Sequence, residues 1–485
     1  MKRSILYLLG WIIIIAVYLP SCTKDILETS PQTRISERTA FSTPDKILAQ
    51  VNNLYSKVQA GNFYGSRYIL FNEQRGEEFS QNDGNASVGA LIWQQNALSS
   101  DNFVNGLWSA AYTAINASNI LISQVSSTTV VGSPVREQYV AEAKFVRALS
   151  YFALLQTYAK PFAADKGAGL GLPLRLNAET SEGGNDLARS SVAQVYDQII
   201  KDLNEAEKDL PDAYSTPTLN AARAHKSSAI ALKTRVLLAK GDYAGVVTEA
   251  KKIVSATAPF QFTAGTLTHK LEANVATLYG GSYVGAEAVF SILFNNIDAP
   301  GTQNALAYNY VGAVVLSLNP AGIVANPALS ATSTDARSKL ILTKNSQRVS
   351  NKFPKIATPY TDFIPVIRYA EVLLNYAEAA AENNDLATAT ALLNAVRNRS
   401  DAAFTFKPEE VNTKAALVQT ILTERRIELL GEGHRTPDLQ RRVQNLPAKA
   451  GAVGSAPQVL PTDRNYIWPI PSDELSTNKL IQPNP

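Results

Sequence analysis

Two stretches of the chain, "ALKTRVLLAKGDYAGVVTEAKKIV" from Ala231 and "LNYAEAAAENNDLATATALLNAVR" from Leu374, follow one plan. Laid together, Gly241-Asp242-Tyr243-Ala244 falls on Asn384-Asp385-Leu386-Ala387. Val246, Ala250 and Ile253 then fall on Ala389, Leu393 and Val396. Each stretch reads as a helix, a tight polar turn and a second helix, with small residues where the pair must approach closely. The copies lie too far apart for a tandem solenoid, so helix pairs must alternate with other structure.

This hairpin resembles the tetratricopeptide unit. In "VREQYVAEAKFVRALSYFALLQTYA" the residues Val135, Tyr139, Ala143, Val146, Leu149 and Phe152 fall three or four apart, which predicts a helix with one buried face. "SVAQVYDQIIKDLNEAEKDL" predicts another, with Ser190 or Ser191 as N-cap and Pro211 as the stop. The Gly-rich, polar segment between them reads as a long surface excursion. Its Gly167, Gly169 and Gly171 lack the spacing of a phosphate cradle, and no strand precedes them. From about 260 to 365, short apolar runs with Pro, Asn and Tyr predict short strands and loops.

The N-terminus carries a different signal. Lys2 and Arg3 precede an apolar run from Ile5 to Val17 and the tetrad Leu19-Pro20-Ser21-Cys22. That is the order of a secretory signal, and the run is too short for a membrane span of about 20 residues. Cys22 is the only cysteine of 485 residues, so it forms no internal disulfide. The tetrad resembles a bacterial lipobox, although Pro20 stands where a small residue is usual, and Cys22 is therefore expected to be acylated. Thr23 is not the Asp of a common inner-membrane retention signal, and Lys24-Asp25 resembles a surface-export signal. The expected organisation is a signal peptide over 1–21, a lipidated tether over 22–45, and a body with an N-terminal part over 46–225 and a C-terminal part over 226–485. The formal charge is +3, two of it from Lys2 and Arg3, so the body has no electrostatic reason to seek nucleic acid.

Catalytic chemistry is poorly supplied. Only His225, His269 and His434 are present, with no HExxH, no GxSxG and no second cysteine. A pair of acids could still act on a glycosidic bond, and Glu77, Glu78 and Asp83 lie near Trp93 in the chain. The constellation Glu424, Arg425, Arg426, Glu428, Arg435, Asp438 and Arg441 reads as structural, with arginines bonding acids between packed helices. Thr436 is expected to cap a helix with Pro437 at its first position. Arg368 and Glu371 read as ties between helices, and Trp468 as a plug that pins the C-terminus.

Six segments carry a resemblance: "LWSAAYTAINASNILI", "AEAKFVRALSYFALLQTYA", "ARSSVAQVYDQIIKDLNEAEKDLP", "IRYAEVLLNYAEAAAE", "ILTERRIELLGEGHRTPDLQRR" and "IWPIPSDELSTNKL". In that order they resemble the signature segments of the SusD/RagB family of outer-membrane nutrient-binding lipoproteins. Thr436-Pro437 and the closing "QPNP" depart from the usual pattern. The resemblance implies a mainly α, SusD-like fold, with four tetratricopeptide-like helix pairs as scaffold and a loop-rich ligand face with short strands. It further implies capture of a glycan, or in some branches a peptide, above a SusC-like TonB-dependent transporter, with no catalysis and no cofactor. A tetratricopeptide-like scaffold that binds only proteins is the alternative from another class.

Sugar rings lay C–H patches on aromatic faces, and their hydroxyls need Arg, Asn, Gln or Asp. The stretch from Tyr64 to Ala97 supplies Arg75, Asp83, Trp93 and Asn96, and the resemblance draws ligand contacts from this region. "LYGGSYVG" adds Tyr279 and Tyr283 beside Gly280 and Gly281, with Tyr308 and Tyr310 as further choices.

Overall fold

In the computed structural model, which describes residues 37–181 and 183–484, the two aligned hairpins share one local geometry. Gly241 and Asn384 both end their helices at positive φ, 78° and 64°. Asp242 then adopts φ −85°, ψ 73° and Asp385 φ −89°, ψ 73°. Each starts the next helix, Asp242 accepting from Gly245 N at 2.9 Å and Asp385 from Thr388 N at 3.1 Å. Val246, Ala250, Ile253, Ala389, Leu393 and Val396 are all fully buried.

The structure divides into two compact units, with the boundary between Leu48 and Ala49. Of the first, the described part holds a short helix Glu37–Ala40 and the opening turn of α1 (Pro44–Val58). Cys22 and the segment expected to be a signal peptide lie outside the described residues.

The second unit is mainly helical. Its principal helices are α2 (Arg67–Gln74), α3 (Asn102–Val125), α4 (Ser133–Tyr158), α5 (Val192–Asp209) and α6 (Lys226–Lys240). They are followed by α7 (Tyr243–Ala250), α8 (Tyr369–Glu382), α9 (Leu386–Ser400), α10 (Lys414–Glu428), α11 (Arg435–Arg441) and α12 (Ser472–Thr477). From α3 to α9 each of these helices packs on the next, α7 meeting α8 across the long intervening segment, and α10 packs on α8. Ser191 caps α5 in a capping box with Gln194, and the helix stops just before Leu210 and Pro211. The apolar stripe of α4 is buried from Ala141 onward, whereas Val135 is 39 % exposed. The ion pairs of Arg147 with Asp202 and Lys144 with Glu205 fix an antiparallel register that leaves the first turns of α4 beyond the end of α5.

Ten short strands form five antiparallel pairs among the described residues. They are β1 (Phe79–Gln81) with β5 (Leu316–Leu318), β2 (Phe262–Ala264) with β3 (Leu267–His269), β4 (Ala288–Ile292) with β8 (Ile364–Arg368), β6 (Ile341–Lys344) with β7 (Gln347–Ser350), and β9 (Lys449–Gly451) with β10 (Gly454–Ala456). Strand β8 delivers Arg368 to the start of α8, where it joins a closed set of buried charges. Arg337, Lys352, Arg368, Arg397 and Arg399 face Glu287, Asp335, Glu424, Glu428 and Glu432, five cations against five carboxylates.

Arg425 and Arg441 share Asp438, Arg441 also forks onto Glu378, and Arg235 forks onto Glu371. The expected cap at Thr436 is not made. His434 occupies the N-cap position of α11, and the Thr436 hydroxyl donates to Asn72 O at 2.5 Å, tying α11 to α2. Trp468 is buried against Phe71 and Tyr158. Among the described residues no helix is long and apolar enough to cross a membrane.

Candidate ligand-binding face

The end of β1 launches a loop that polar side chains hold open. Asn82 donates through its backbone to Val315 O at 2.8 Å, and through Nδ2 to Val314 O at 3.0 Å and Gln347 Oε1 at 2.7 Å. Asp83 Oδ1 accepts from Asn85 N at 2.9 Å, and Asn85 Oδ1 accepts from Ser87 N at the same distance. Two such turns in succession satisfy the local backbone and leave Asp83 and Asn85 exposed. Asn96 is exposed as well, in a turn closed by its N–H to Leu91 O at 2.9 Å and entered through Gln95 at φ 60°.

Two further loops border this one. Gln94 Nε2 reaches Val453 O at 3.5 Å, in the turn between β9 and β10. A Cβ added at Gly84 would stand 3.7 Å from Val453 Cγ1, so that turn lies against the Asp83 loop. Gln347 brings in the β6–β7 turn, where Asn345 and Ser346 take positive φ. The result is a surface on which Asp83, Asn85 and Asn96, with Asn345 of the β6–β7 turn, expose amide and carboxylate groups that can exchange hydrogen bonds with hydroxyls, bordered by the apolar β9–β10 turn.

Three of the six expected contact residues lie beneath surfaces instead of on them. Trp93 is fully buried; its indole N–H donates to Phe79 O at 2.9 Å and Lys449 Nζ stands 5.1 Å from its ring. Arg75 is buried at the end of α2 and donates to Asn465 O and Tyr466 O, both at 2.8 Å, with burial pushing its pKa down to about 10. Tyr279 is buried, donating to Glu432 Oε1 at 2.8 Å beneath Lys352. Each of the three is occupied by partners in this chain, which corrects the expectation that they present themselves to a ligand. The physical reason is long-range. Phe79, Lys449, Tyr466 and Glu432 approach from other elements and close over them.

Tyr283 keeps partial exposure, but its hydroxyl is bonded on both sides, donating to Glu272 Oε1 at 2.5 Å and accepting from Glu287 N at 2.9 Å. It packs with Val275, Leu278, Tyr279 and Leu340 in a cluster separate from the Asp83 loop. Of the alternates, Tyr310 is buried and stacked on Phe79, while Tyr308 is half-buried against Tyr360. Asp83 and Asn96 are thus the expected residues that share the exposed loop face. Glu77 is engaged by Arg426 and Arg435, and Glu78 by Arg426 and Ile323 N, so both acids are held as structural partners.

Sequence reasoning missed Arg67. Buried at the start of α2, it donates to Asn304 Oδ1 at 2.8 Å and Ser87 O at 3.1 Å, and among the described residues it has no carboxylate partner. Among the described residues its Nη1 and the neighbouring Ser87 Oγ make no hydrogen bond. Nothing in "GSRYILFN" distinguishes this arginine from one on an ordinary helix face.

Residues 322–485 match the model of the SusD family, and residues 25–238 match a model described as "Starch-binding associating with outer membrane". SusD-like protein P2 of Formosa agariphila is 25% identical over 526 residues, covering 97% of this chain and 98% of its own. Among solved structures, a SusD superfamily protein from Bacteroides fragilis superposes with a TM-score of 0.82 at 29% identity, covering 91% of this chain and 100% of its own. A laminarin-binding SusD-like protein superposes with a TM-score of 0.70 at 21% identity, covering 91% and 99%.

Proposed function

The chain belongs to the SusD/RagB family, and from that membership we propose that it captures a glycan at the outer membrane and passes it to a TonB-dependent transporter. One observation carries the reading: the segment matching the starch-binding, outer-membrane-associating model, residues 25–238, contains the exposed Asp83, Asn85 and Asn96. The chemistry of that face agrees. Its exposed groups are amides and a carboxylate in fixed turns, suited to the hydroxyls of a polyol, and a neighbour of the same fold binds the polysaccharide laminarin.

Delivery follows from the topology of the task. A solute held by a helical body whose described residues contain no membrane-spanning helix needs another protein as its path. Acylation of Cys22 would confine the chain to the membrane plane of that protein and raise the effective concentration of the pair, so a modest interface suffices. The protein should therefore co-purify with a TonB-dependent β-barrel from detergent-solubilised outer membrane, and Cys22→Ala should release it into the soluble or unprocessed fraction. Deletion of the protein should abolish glycan uptake with the barrel still present. Purification without the barrel, together with unimpaired uptake in the deletion strain, overturns the delivery role and favours a protein-binding scaffold.

A further inference from the structure

A cavity of about 430 Å³ opens on one side of α3, lined by none of the residues of the loop face. Its floor is a single helical stripe. Asn105, Trp108, Ser109, Tyr112, Thr113 and Asn116 recur at the three- and four-residue spacing that places side chains on one face. The core side of α3 is supplied by Val104, Leu107, Ala111 and Ala114, and the buried Ile115 stands where the two sides meet. Within the stripe Trp108 and Tyr112 stand 4.9 Å apart, Trp108 buried behind and Tyr112 half-buried in front.

Two distant segments raise the walls. Asn116 exchanges a pair of hydrogen bonds with the backbone of Glu179, both at 2.9 Å, and Tyr112 donates to Pro173 O at 2.9 Å. On the other side α12 is tied down by Asp473 N, which donates to Asn105 Oδ1 at 3.2 Å. Arg175 joins the walls: Nη1 donates to Glu179 Oε1 at 2.5 Å and Nη2 to Glu474 Oε1 at 3.2 Å. Glu474 Oε2 in turn accepts from the Trp108 indole at 3.2 Å. The polar groups are held in place by one another before any ligand arrives.

Charge and volume select the ligand class. Arg175 faces two carboxylates and Asp473 adds a third, so the cavity offers no uncompensated positive charge to an anion. Carboxylate and amide oxygens accept from hydroxyls, and the part of the Tyr112 ring left exposed beside Arg175, whose Cζ stands 6.0 Å from the ring centroid, offers aromatic surface to C–H patches. The volume falls within the range of about 300–1,000 Å³ typical of small-molecule sites. We propose that this cavity is a second glycan subsite, in which one sugar ring lies on Tyr112 and donates its hydroxyls to Glu179 and its neighbours. The proposal rests on the glycan-binding reading and deepens it. A polymer engaging both the loop face and this cavity is retained by avidity that neither site supplies alone.

Ser109 is exposed and lines the cavity, so Ser109→Trp fills it without removing a core contact. The experiment is isothermal titration of the purified full-length lipoprotein in detergent with laminarin and soluble starch, and with laminaritriose and maltotriose as short probes. For a polymer that binds, Ser109→Trp is expected to weaken binding at least about tenfold, while the matching trisaccharide still binds at the loop face. Asp83→Ala with Asn96→Ala should remove that remaining binding. Polymer affinity unchanged in a folded Ser109→Trp variant overturns the second subsite and leaves the glycan reading intact. Wild-type protein that binds none of the four probes overturns both. Should Ser109→Trp lose its helical signal, Glu179→Gln preserves shape and decides the matter by the same criterion.

Discussion

Replacing Glu428 by Gln asks whether the ten buried charges behave as one unit. Glu428 Oε1 accepts from Arg368 Nη1 at 3.0 Å and Arg399 Nη2 at 2.5 Å, and Oε2 accepts from Arg337 Nη1 at 3.0 Å. Burial alone would raise its pKa. Arg399, Arg368 and Arg337 reverse that effect and hold the carboxyl well below the usual range. Gln keeps the shape and removes one negative charge, leaving five cations against four carboxylates in a set whose side chains are 6 % exposed or less. Its amide also turns N–H donors toward guanidiniums that can only donate.

Leaving a buried charge unpaired costs about 3–5 kcal/mol, a large part of a stability margin of about 5–15 kcal/mol. The assay is urea unfolding at pH 7 followed by far-UV circular dichroism, with Glu205→Gln as the control. Glu205 is 41 % exposed and pairs with Lys144 at 2.9 Å, so its loss should cost less than about 1 kcal/mol. If Glu428→Gln costs no more than the control, the buried set is not electrostatically coupled and the reasoning is refuted.

Acid should weaken the fold as pH falls below 6.5, because the buried neutral histidines take up protons on unfolding. Burial lowers His225 to about 3, and lowers His269 and His434 to about 4. Histidines depressed below 6.5 give stability that is complete above 6.5 and lost as pH falls toward 4. Burial raises Glu73 to about 8 and Asp362 to about 6, which act in the opposite sense over part of that window. The three histidines outweigh Glu73 and Asp362, so stability should fall as pH drops from 6.5 to 5; a flat urea midpoint over that range refutes this. Trp93→Ala should destabilise the protein by about 3–5 kcal/mol as a core truncation, read as a fall in urea midpoint. Unchanged stability with weakened glycan binding would return Trp93 to the ligand face.

Much of the scaffold was legible because its determinants are local. The Gly241-Asp242 and Asn384-Asp385 turns need only a residue that tolerates positive φ and a side chain that caps the next helix, and both are written in adjacent letters. Ser191 and Gln194 are likewise three residues apart. The structural character of the acids and arginines in 424–441 was also readable from helical spacing. Their partners were not: Glu428 meets Arg337, Arg368 and Arg399, each from another element. Thr436 shows the same limit, since Asn72 O lies 364 residues away and takes the hydroxyl from the cap it was expected to make.

The ligand face depends on what is missing around a side chain, and residue type does not encode that. Trp93 and Asn96 sit three residues apart in "WQQN", yet Phe79, Lys449 and Gly451 close over the first while the second stays in solvent. The cavity on α3 is the converse. Its stripe was present in "LWSAAYTAINASNILI", where two aromatics among small polar residues read as an ordinary helix face. Only Glu179 and Glu474, brought in by segments 63 and 366 residues from their partners on α3, turn that face into the floor of a site. An aromatic residue therefore becomes a platform when distant chain walls it without covering it fully, and Tyr112, half-buried beside Arg175, keeps exposed ring surface where Trp93 keeps none.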